Sequence, residues 1–221
     1  MGGILVAIDG PAGSGKSSVA RAVAGRLGVV NLNTGAAYRA VALLALREDV
    51  DLADGSGLAT LAERVDLDPE GASIDGERVA ETDLRTPEVS AAASRVSAHA
   101  QLREVLLPVQ RMAAEKARER GGAVVEGRDI GTVVLPDAEL KVYLSAAAEE
   151  RARRRASQTG REGELDRIRA AIARRDRQDS EREVSPLKPA ADAVVLDTTS
   201  LSLEEVTSEV LDLAQNLRRG A

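Results

Sequence analysis

Short apolar runs alternate with stretches of helical spacing at the start of the chain. Residues 4–8 are continuously apolar, a pattern typical of a strand whose two faces are both buried. Residues 18–27 place apolar side chains three and four positions apart, which predicts a helix that ends at Gly28. A second strand is predicted over residues 29–32 and a second helix over residues 35–47. The chain therefore opens as a β-α-β-α unit.

The alternation is interrupted in the middle of the chain. A short helix is predicted over residues 58–65, and residues 72–79 have the pattern of a small β-hairpin around Asp75-Gly76, a dipeptide that favours tight turns. Helical spacing resumes over residues 87–97. These elements predict a small subdomain inserted into a βα fold.

The second half of the chain returns to alternating elements. A long helix is predicted over residues 101–120, with a break or kink at Pro108 because proline lacks the helical N–H donor. Further strands are predicted over residues 123–125, 140–144 and 193–196, and further helices over residues 146–156, over residues 166–177 and from the capping box at residues 202–205 onward. The polar residues 157–163 predict a mobile lid loop. The whole pattern predicts an α/β fold with helices on both faces of a central parallel sheet.

The composition excludes several classes of protein. Hydrophobic residues make up 43% of the 221 residues, which is enough for the core of one sizeable α/β domain. There are no cysteines, so disulfide frameworks, zinc ribbons and cysteine nucleophiles are excluded. No run approaches the roughly 18 apolar residues of a membrane span, and the first residues lack the features of a signal peptide. A cytoplasmic protein with no membrane partner is expected.

Positive charge is concentrated in one segment of an acidic chain. The formal net charge is −6, yet residues 151–182 hold 11 arginines against 6 acidic residues. Part of this charge is expected to form exposed helical ion pairs. The only aromatic residues are Tyr38 and Tyr143, so a base-stacking nucleic-acid surface is not expected. Small phosphorylated ligands fit the arginine-rich segment better.

A phosphate-binding motif follows the first predicted strand. Residues 10–17 read GPAGSGKS, in which the glycines let backbone N–H groups approach phosphate oxygens and the following helix adds its positive end. Lys16 is expected to reach the outer phosphates of a nucleoside triphosphate, and the Ser17 hydroxyl to ligate Mg²⁺. The expected ATP-binding residues are Gly10, Pro11, Ala12, Gly13, Ser14, Gly15, Lys16, Ser17, Ser18 and, beside the predicted lid, Arg151 and Arg155.

Three further segments resemble bacterial cytidylate kinases. They are NTGAAYR, GRDIGTVVLPDA and RDRQDSEREVSPLKPAADAVVLDT, which begin at residues 33, 127 and 175. The resemblance extends over essentially the whole chain and implies a P-loop NTPase-type three-layer fold that phosphorylates CMP, and dCMP as well, with ATP. It also implies three parts. They are a core of residues 1–60, 98–150 and 164–221, an inserted NMP-binding subdomain of residues 61–97 and a lid of residues 151–163. A monomer is expected for a kinase of this size.

The resemblance implies an acceptor site built mainly from arginines. Positions that match the family's contacts to the monophosphate are Thr34, Arg39, Arg128 and Arg182; those that match its cytosine contacts are Ser94, Arg103 and Asp129; those that match its ribose contacts are Arg175 and Asp179. The implied catalytic residues are Lys16, Arg128, Asp129 and Arg182. Guanidinium groups suit phosphate because they offer paired donors. The Asp129 carboxylate suits cytosine because it accepts hydrogens of the exocyclic amino group, which uracil lacks.

Ordinary structural roles stay open for some of these residues. Thr34 also fits a helix N-cap, and Arg39 a surface helix position. Arg175 and Asp179 are four positions apart, so they also fit a plain helical ion pair. Asn33 stands where the family often has Asp, which leaves the surroundings of the metal open.

Two rival functions also stay open. One is a P-loop switch or regulatory nucleotide-binding module, which the lack of an Asn-Lys-x-Asp guanine motif disfavours. The other is a P-loop kinase for a different small acceptor, such as UMP, AMP or shikimate. The single histidine is no obstacle to a nucleotide kinase, because an acceptor phosphate is already ionised at neutral pH and needs no base.

Overall fold

The computed structural model describes residues 3–220, which form an α/β fold of three layers. In chain order the strands are β1 (Ile4–Asp9), β2 (Val30–Asn33), β3 (Val65–Asp68), β4 (Gly71–Ile74), β5 (Glu77–Arg78), β6 (Gly122–Glu126), β7 (Leu140–Ser145) and β8 (Val194–Asp197). The helices are α1 (Lys16–Leu27), α2 (Gly35–Arg47), α3 (Gly55–Ala62), α4 (Glu81–Leu84), α5 (Pro87–Val96), α6 (Ala100–Glu119), α7 (Ala148–Thr159), α8 (Leu165–Glu181) and α9 (Leu203–Gly220). A π-helical turn covers Ile130–Val134 and a 3₁₀ turn covers Glu162–Glu164. The predicted α/β class is confirmed.

Five strands form one parallel sheet in the order β2-β6-β1-β7-β8. All residues of the central strand β1 are buried. Its side chains alternate between the two faces: Leu5 and Ala7 pack in one apolar cluster with α2 and α6, whereas Ile4, Val6 and Ile8 pack in another with α1 and α9. Helices therefore cover both faces of the sheet, as the continuous apolar run of β1 predicts.

The interruption in the middle of the chain forms a second, antiparallel sheet in the order β3-β4-β5. Asp75 and Gly76 have φ angles of 52° and 80°, which is the backbone conformation of the predicted tight hairpin turn. Ala72 and Ile74 of β4 belong to the same apolar cluster as Leu5 of the central sheet. The insertion therefore packs on one face of the core.

The bounds predicted for the short helix, residues 58–65, are wrong at both ends. α3 covers Gly55–Ala62, and Val65 is the first residue of β3. The Asp54 carboxylate accepts hydrogen bonds from two backbone N–H groups of the first turn, so it fixes the earlier start of the helix. Pairing with β4 then removes Val65 from the helical pattern.

Two helices of the second half are more continuous than predicted. α6 runs from Ala100 to Glu119 through Pro108 without a break. α7 extends to Thr159 and ends at Gly160, whose φ of 61° suits a left-handed C-terminal cap. The predicted loop over residues 157–163 is therefore only a tight connection that leads through the 3₁₀ turn into α8. α7 and α8 form a helical hairpin with its own small apolar cluster, made of Ala152, Ala156, Ile168 and Ile172.

α9 begins at the predicted capping box. Ser202 N donates to Glu205 Oε2 at 2.8 Å, and Glu205 N donates to Ser202 Oγ at 3.3 Å. Val206 and Val210 of α9 then pack in the cluster that includes α1. Neither α9 nor another helix within residues 3–220 is both long and apolar enough to cross a membrane.

Candidate active site

The P-loop follows β1 at the carboxyl edge of the parallel sheet, where folds of this type bind their ligands. Gly13 and Gly15 have φ angles of 76° and 91°, a conformation that favours glycine. A Cβ atom on Gly13 would lie 2.8 Å from Arg151 O, so this part of the loop packs closely against α7. The Ser14 hydroxyl is buried and has no hydrogen-bond partner among the described residues, which leaves it for a ligand.

Lys16 and Ser17 are the first two residues of α1. Lys16 Nζ donates to Pro11 O of the P-loop at 2.7 Å. Burial, with the nearby Arg128 as the next cause, holds the pKa of Lys16 well below its ordinary value. The Ser17 hydroxyl donates to Glu126 Oε2 at 2.6 Å. A hydroxyl oxygen and a carboxylate oxygen therefore lie together beside the P-loop, and such oxygens suit Mg²⁺.

Arg128 joins the P-loop to α8. It follows β6, and its Nη1 donates to Gly10 O at 2.7 Å while its Nε donates to Asp179 Oδ2 at 2.8 Å. Arg175 Nε lies 3.9 Å from the same Asp179 oxygen, so the helical ion pair is present but loose. Burial raises the pKa of the Asp179 carboxyl, yet the two arginines outweigh burial and the net pKa lies below its ordinary value. Asp179 is therefore an anion that holds two arginines.

Thr34 and Arg39 lie at the start of α2. Thr34 occupies the N-cap position of α2, but its Oγ1 donates to Glu126 O at 2.9 Å and makes no capping bond to the helix. Arg39 Nη2 donates to Asn33 Oδ1 at 3.2 Å. Burial is the main cause that lowers the pKa of Arg39 to about 10. At neutral pH Arg39 is therefore a charged side chain next to the end of β6.

Asp129 and Arg103 form a buried ion pair on the acceptor side. Arg103 Nη2 donates to Asp129 Oδ2, and each side chain is only 7% exposed. The guanidinium carbon of Arg103 lies 5.3 Å from the centre of the Tyr38 ring, at the distance of a cation–π contact. The Ser94 hydroxyl donates to Gln178 Oε1 on α8 at 3.2 Å. The structure thus brings Asp129 and Arg103 together, whereas Ser94 is bonded to α8.

Buried guanidinium groups exceed their partners in this region. Arg39 Nε, Arg175 Nε and Arg182 Nη2 are buried and have no hydrogen-bond partner among the described residues. Arg182 Nη2 lies 3.7 Å from Asp129 Oδ1, too far for a hydrogen bond. Burial is the main cause that lowers the pKa of Arg175 to about 10. Burial is also the main cause that lowers the pKa of Arg182. Because a buried donor without a partner is costly, these three nitrogens are suited to an anionic ligand such as phosphate.

The two arginines expected beside the lid have different surroundings. Arg151 is buried on α7, where its Nε donates to Ala146 O at 2.9 Å and its Nη1 to Ala12 O at 3.0 Å. Arg155 lies one turn later and is half-buried. Burial, followed by the nearby Arg85, lowers the pKa of Arg155. Arg151 therefore contacts the P-loop backbone directly, whereas Arg155 lies near the cations Arg85 and Arg161.

Asp9 ends β1 and supports the turn that follows Asp129. Its Oδ1 and Oδ2 accept hydrogen bonds from Ile130 N and Gly131 N, both at 2.8 Å. Burial raises the pKa of Asp9 to about 6 and outweighs these two hydrogen bonds. The carboxylate thereby connects the strand before the P-loop to the turn that carries the acceptor side.

Three acidic residues of this region are absent from the site predicted from the sequence. Asp9 and Glu126 each end a buried strand directly before a motif, and a carboxylate at such a position is the signal that was available. Asp176, which accepts from Ala12 N at 3.1 Å, lies inside an arginine-rich helix where an acidic residue has an ordinary explanation.

Comparison with known proteins gives one consistent assignment. Residues 6–216 match the family described as cytidylate kinase. The cytidylate kinase of Exiguobacterium sibiricum is 46% identical to this chain and is matched over 96% of this chain and 97% of its own length. The cytidylate kinase of Bacillus subtilis is 44% identical and is matched over 98% of both chains. A bifunctional pantoate ligase/cytidylate kinase of a Synechococcus species is 46% identical over 98% of this chain, which spans only 42% of that relative.

Two solved structures share the fold at low sequence identity. A protein from Eubacterium ventriosum described as uncharacterized has a TM-score of 0.53 at 12% identity, over 95% of this chain and 97% of its own. A sugar kinase from a Janibacter species has a TM-score of 0.51 at 14% identity, and the match covers 96% of this chain and 95% of that one. These two likenesses concern the fold alone. From the match over residues 6–216 and the relatives at 44–46% identity, the chain belongs to the cytidylate kinase family.

Proposed function

We propose that this protein transfers the terminal phosphoryl group of ATP to CMP, forming ADP and CDP, and that dCMP is a second acceptor. The observation that carries the proposal is Arg128, which bonds to Gly10 O of the P-loop and to Asp179, beside three arginines that each have one buried nitrogen without a hydrogen-bond partner among the described residues. A donor-phosphate loop and a cation-rich pocket therefore share one edge of the sheet. Two phosphorylated substrates need this arrangement, whereas a P-loop switch that binds one nucleotide does not.

Catalysis of this reaction depends on positioning and charge compensation. An acceptor phosphate oxygen forms a bond to the γ-phosphorus of ATP while the bond from that phosphorus to the bridging oxygen breaks, leaving ADP. Lys16 and Arg128 compensate the charge on the transferring group. Arg39, Arg182 and Thr34 hold the acceptor phosphate in line with it. The pKa of about 10 keeps Arg39 charged for this role at neutral pH.

Asp129 is the residue proposed to select cytosine. An ionised carboxylate only accepts hydrogen bonds, so it binds the amino group of cytosine and repels the carbonyl oxygen that uracil has at that position. The ion pair with Arg103 supports this role because it holds the carboxylate in a buried position. Ser94 and Arg103 complete the proposed base site. Arg175 and Asp179 are proposed to contact the ribose.

Magnesium is proposed to bind with ATP at the start of α1. Ser17 Oγ and Glu126 Oε2, 2.6 Å apart, supply oxygen atoms of the kind that Mg²⁺ prefers. Ser17 would ligate the ion, and Glu126 would orient the Ser17 hydroxyl. When bound, the ion neutralises negative charge on the phosphates. The Asn33 side chain accepts a hydrogen bond from Arg39, so Asn33 is not proposed as part of the magnesium site.

Two parts of the molecule are proposed to close over the substrates. They are the NMP-binding subdomain, residues 61–97, and the lid, residues 151–163, on a core of residues 1–60, 98–150 and 164–221. The separate sheet β3-β4-β5 supports the first part of this division. Closure would exclude water, which otherwise accepts the phosphoryl group. A cytoplasmic location and a monomeric state stay predictions from the sequence.

A coupled assay of ADP release with Mg²⁺ and ATP tests the proposed function. The acceptors compared are CMP, dCMP, UMP, AMP and shikimate. We expect CMP and dCMP to give the highest kcat/KM, with UMP lower by about 100-fold, because its carbonyl oxygen meets the Asp129 carboxylate. Preferred turnover of UMP, AMP or shikimate would contradict the acceptor named here. Nucleotide binding without transfer to any acceptor would favour a P-loop switch.

A further inference from the structure

An ion pair from the helical hairpin holds one residue of the P-loop. Asp176 on α8 and Arg151 on α7 are paired, with side chains that are 18% and 11% exposed. Asp176 Oδ1 accepts a hydrogen bond from Ala12 N at 3.1 Å, and Arg151 Nη1 donates one to Ala12 O at 3.0 Å. Both polar backbone groups of Ala12 are therefore bound by side chains from outside the loop.

This contact fixes the direction of the Ala12 backbone. P-loops bind phosphate through backbone N–H groups, and the N–H group of Ala12 is directed to Asp176 instead. The next residue is also confined, because a Cβ atom on Gly13 would lie 2.8 Å from Arg151 O. Arg151 is itself anchored through Nε to Ala146 O at 2.9 Å. The shape of the loop thus depends on α7 and α8 as well as on its own glycines.

We propose that Asp176 is a positioning residue for ATP. Together with Arg151 it turns the Ala12 N–H group away from the ligand, so that the following N–H groups of the P-loop, other than that of Ser14, which donates to Pro11 O at 3.4 Å, are left for the phosphates. The inference rests on the proposed ATP site, and Asp176 acts there only through Ala12. The acceptor site is held by other residues, among them Arg39 and Arg182. Asp176 also acts on the charge of the neighbouring Arg175, so its loss is expected to affect the use of ATP much more than the affinity for CMP.

Steady-state kinetics of two Asp176 variants test this inference. Asp176→Ala removes both the acceptor for Ala12 N–H and the partner of Arg151, whereas Asp176→Asn keeps an acceptor oxygen. We expect the KM for ATP to rise about 10-fold in Asp176→Ala and about 3-fold in Asp176→Asn. The KM for CMP should change by less than about 2-fold in both. Titration with a non-hydrolysable ATP analogue should show the same order of affinities.

Asp166→Ala is the matched control on the same helix. The Asp166 side chain is 92% exposed and meets only Arg169, at 3.1 Å on the surface, so both KM values should stay at those of the wild type. Thermal unfolding followed by circular dichroism identifies the variants that are folded. Equal rises in both KM values, or an unchanged KM for ATP in folded Asp176→Ala, would overturn the inference. If Asp176→Ala does not fold, an unchanged KM for ATP in Asp176→Asn overturns it. A wild-type protein that does not bind the analogue would refute the proposed ATP site instead.

Discussion

Asp9 makes a pH-dependent contribution to stability that one substitution can isolate. Its carboxyl is 5% exposed and accepts hydrogen bonds from Ile130 N and Gly131 N. Burial raises its pKa, the two backbone hydrogen bonds lower it, Asp129 and Lys16 have smaller and opposite effects, and the net pKa is about 6 instead of 3.8. The charged carboxylate is therefore less favourable in the folded chain than in the unfolded chain.

The sign and size of the effect follow from the two pKa values. Because the folded pKa is the higher one, the contribution of Asp9 to stability is fully present below about pH 4 and is lost as the pH rises through about 6. The loss amounts to about 3 kcal/mol at neutral pH. Going from about pH 7.5 to about pH 5 restores about 1 kcal/mol of it. Asp9→Asn does not titrate, so this increment is absent from the variant.

Urea denaturation of both proteins at the two pH values measures the increment. The free energy of unfolding of the wild type, relative to that of Asp9→Asn, should be larger by about 1 kcal/mol at about pH 5 than at about pH 7.5. The carboxyl groups remote from Asp9 titrate alike in both proteins and cancel in this difference. The same pH dependence in both proteins would refute the reasoning. A smaller difference at the lower pH would mean that the fold favours the Asp9 anion.

Three further outcomes test the site and the fold. Asp129→Ala should lower kcat/KM for CMP about 100-fold and abolish the preference for CMP over UMP while an ATP analogue still binds; an unchanged preference in the coupled assay would remove Asp129 from the base site. Ser17→Ala should raise the Mg²⁺ concentration for half-maximal activity about 10-fold, and superimposable Mg²⁺ titrations would show that Ser17 is no ligand. Thr132→Val should raise the free energy of unfolding by about 1 kcal/mol, because the buried Thr132 hydroxyl has no hydrogen-bond partner among the described residues; a decrease on urea denaturation contradicts this.

Features that depend on neighbouring residues could be predicted from the sequence. The apolar run of β1 and the glycines of residues 10–17 are adjacent in the chain, so the strand and its P-loop were predicted together. The turn at Asp75-Gly76 and the capping box of α9 also have purely local causes. The roles of the acceptor arginines came from the resemblance to a family, because a single arginine has many ordinary positions on a helix.

Features that depend on distant residues could not be predicted. Asp176 bonds to Ala12 across 164 positions and Ser17 bonds to Glu126 across 109, and neither separation leaves a periodic signal in the sequence. Val65 has helical spacing but belongs to β3, because pairing with a partner strand prevails over a weak local preference. The excess of buried guanidinium groups likewise becomes visible only when their partners are known.

The cation–π contact between Arg103 and Tyr38 makes the acceptor pocket optically distinctive. The sequence has no tryptophan and only two tyrosines. Tyr38 lies under Arg103, and Tyr143 is the partner of Asp9 in the pairing of β1 with β7. Intrinsic ultraviolet fluorescence therefore arises entirely from two phenol rings at or near the cleft, with no contribution from an aromatic core. If CMP binds at the proposed site beside Arg103, its binding is expected to change the Tyr38 emission of the unmodified protein.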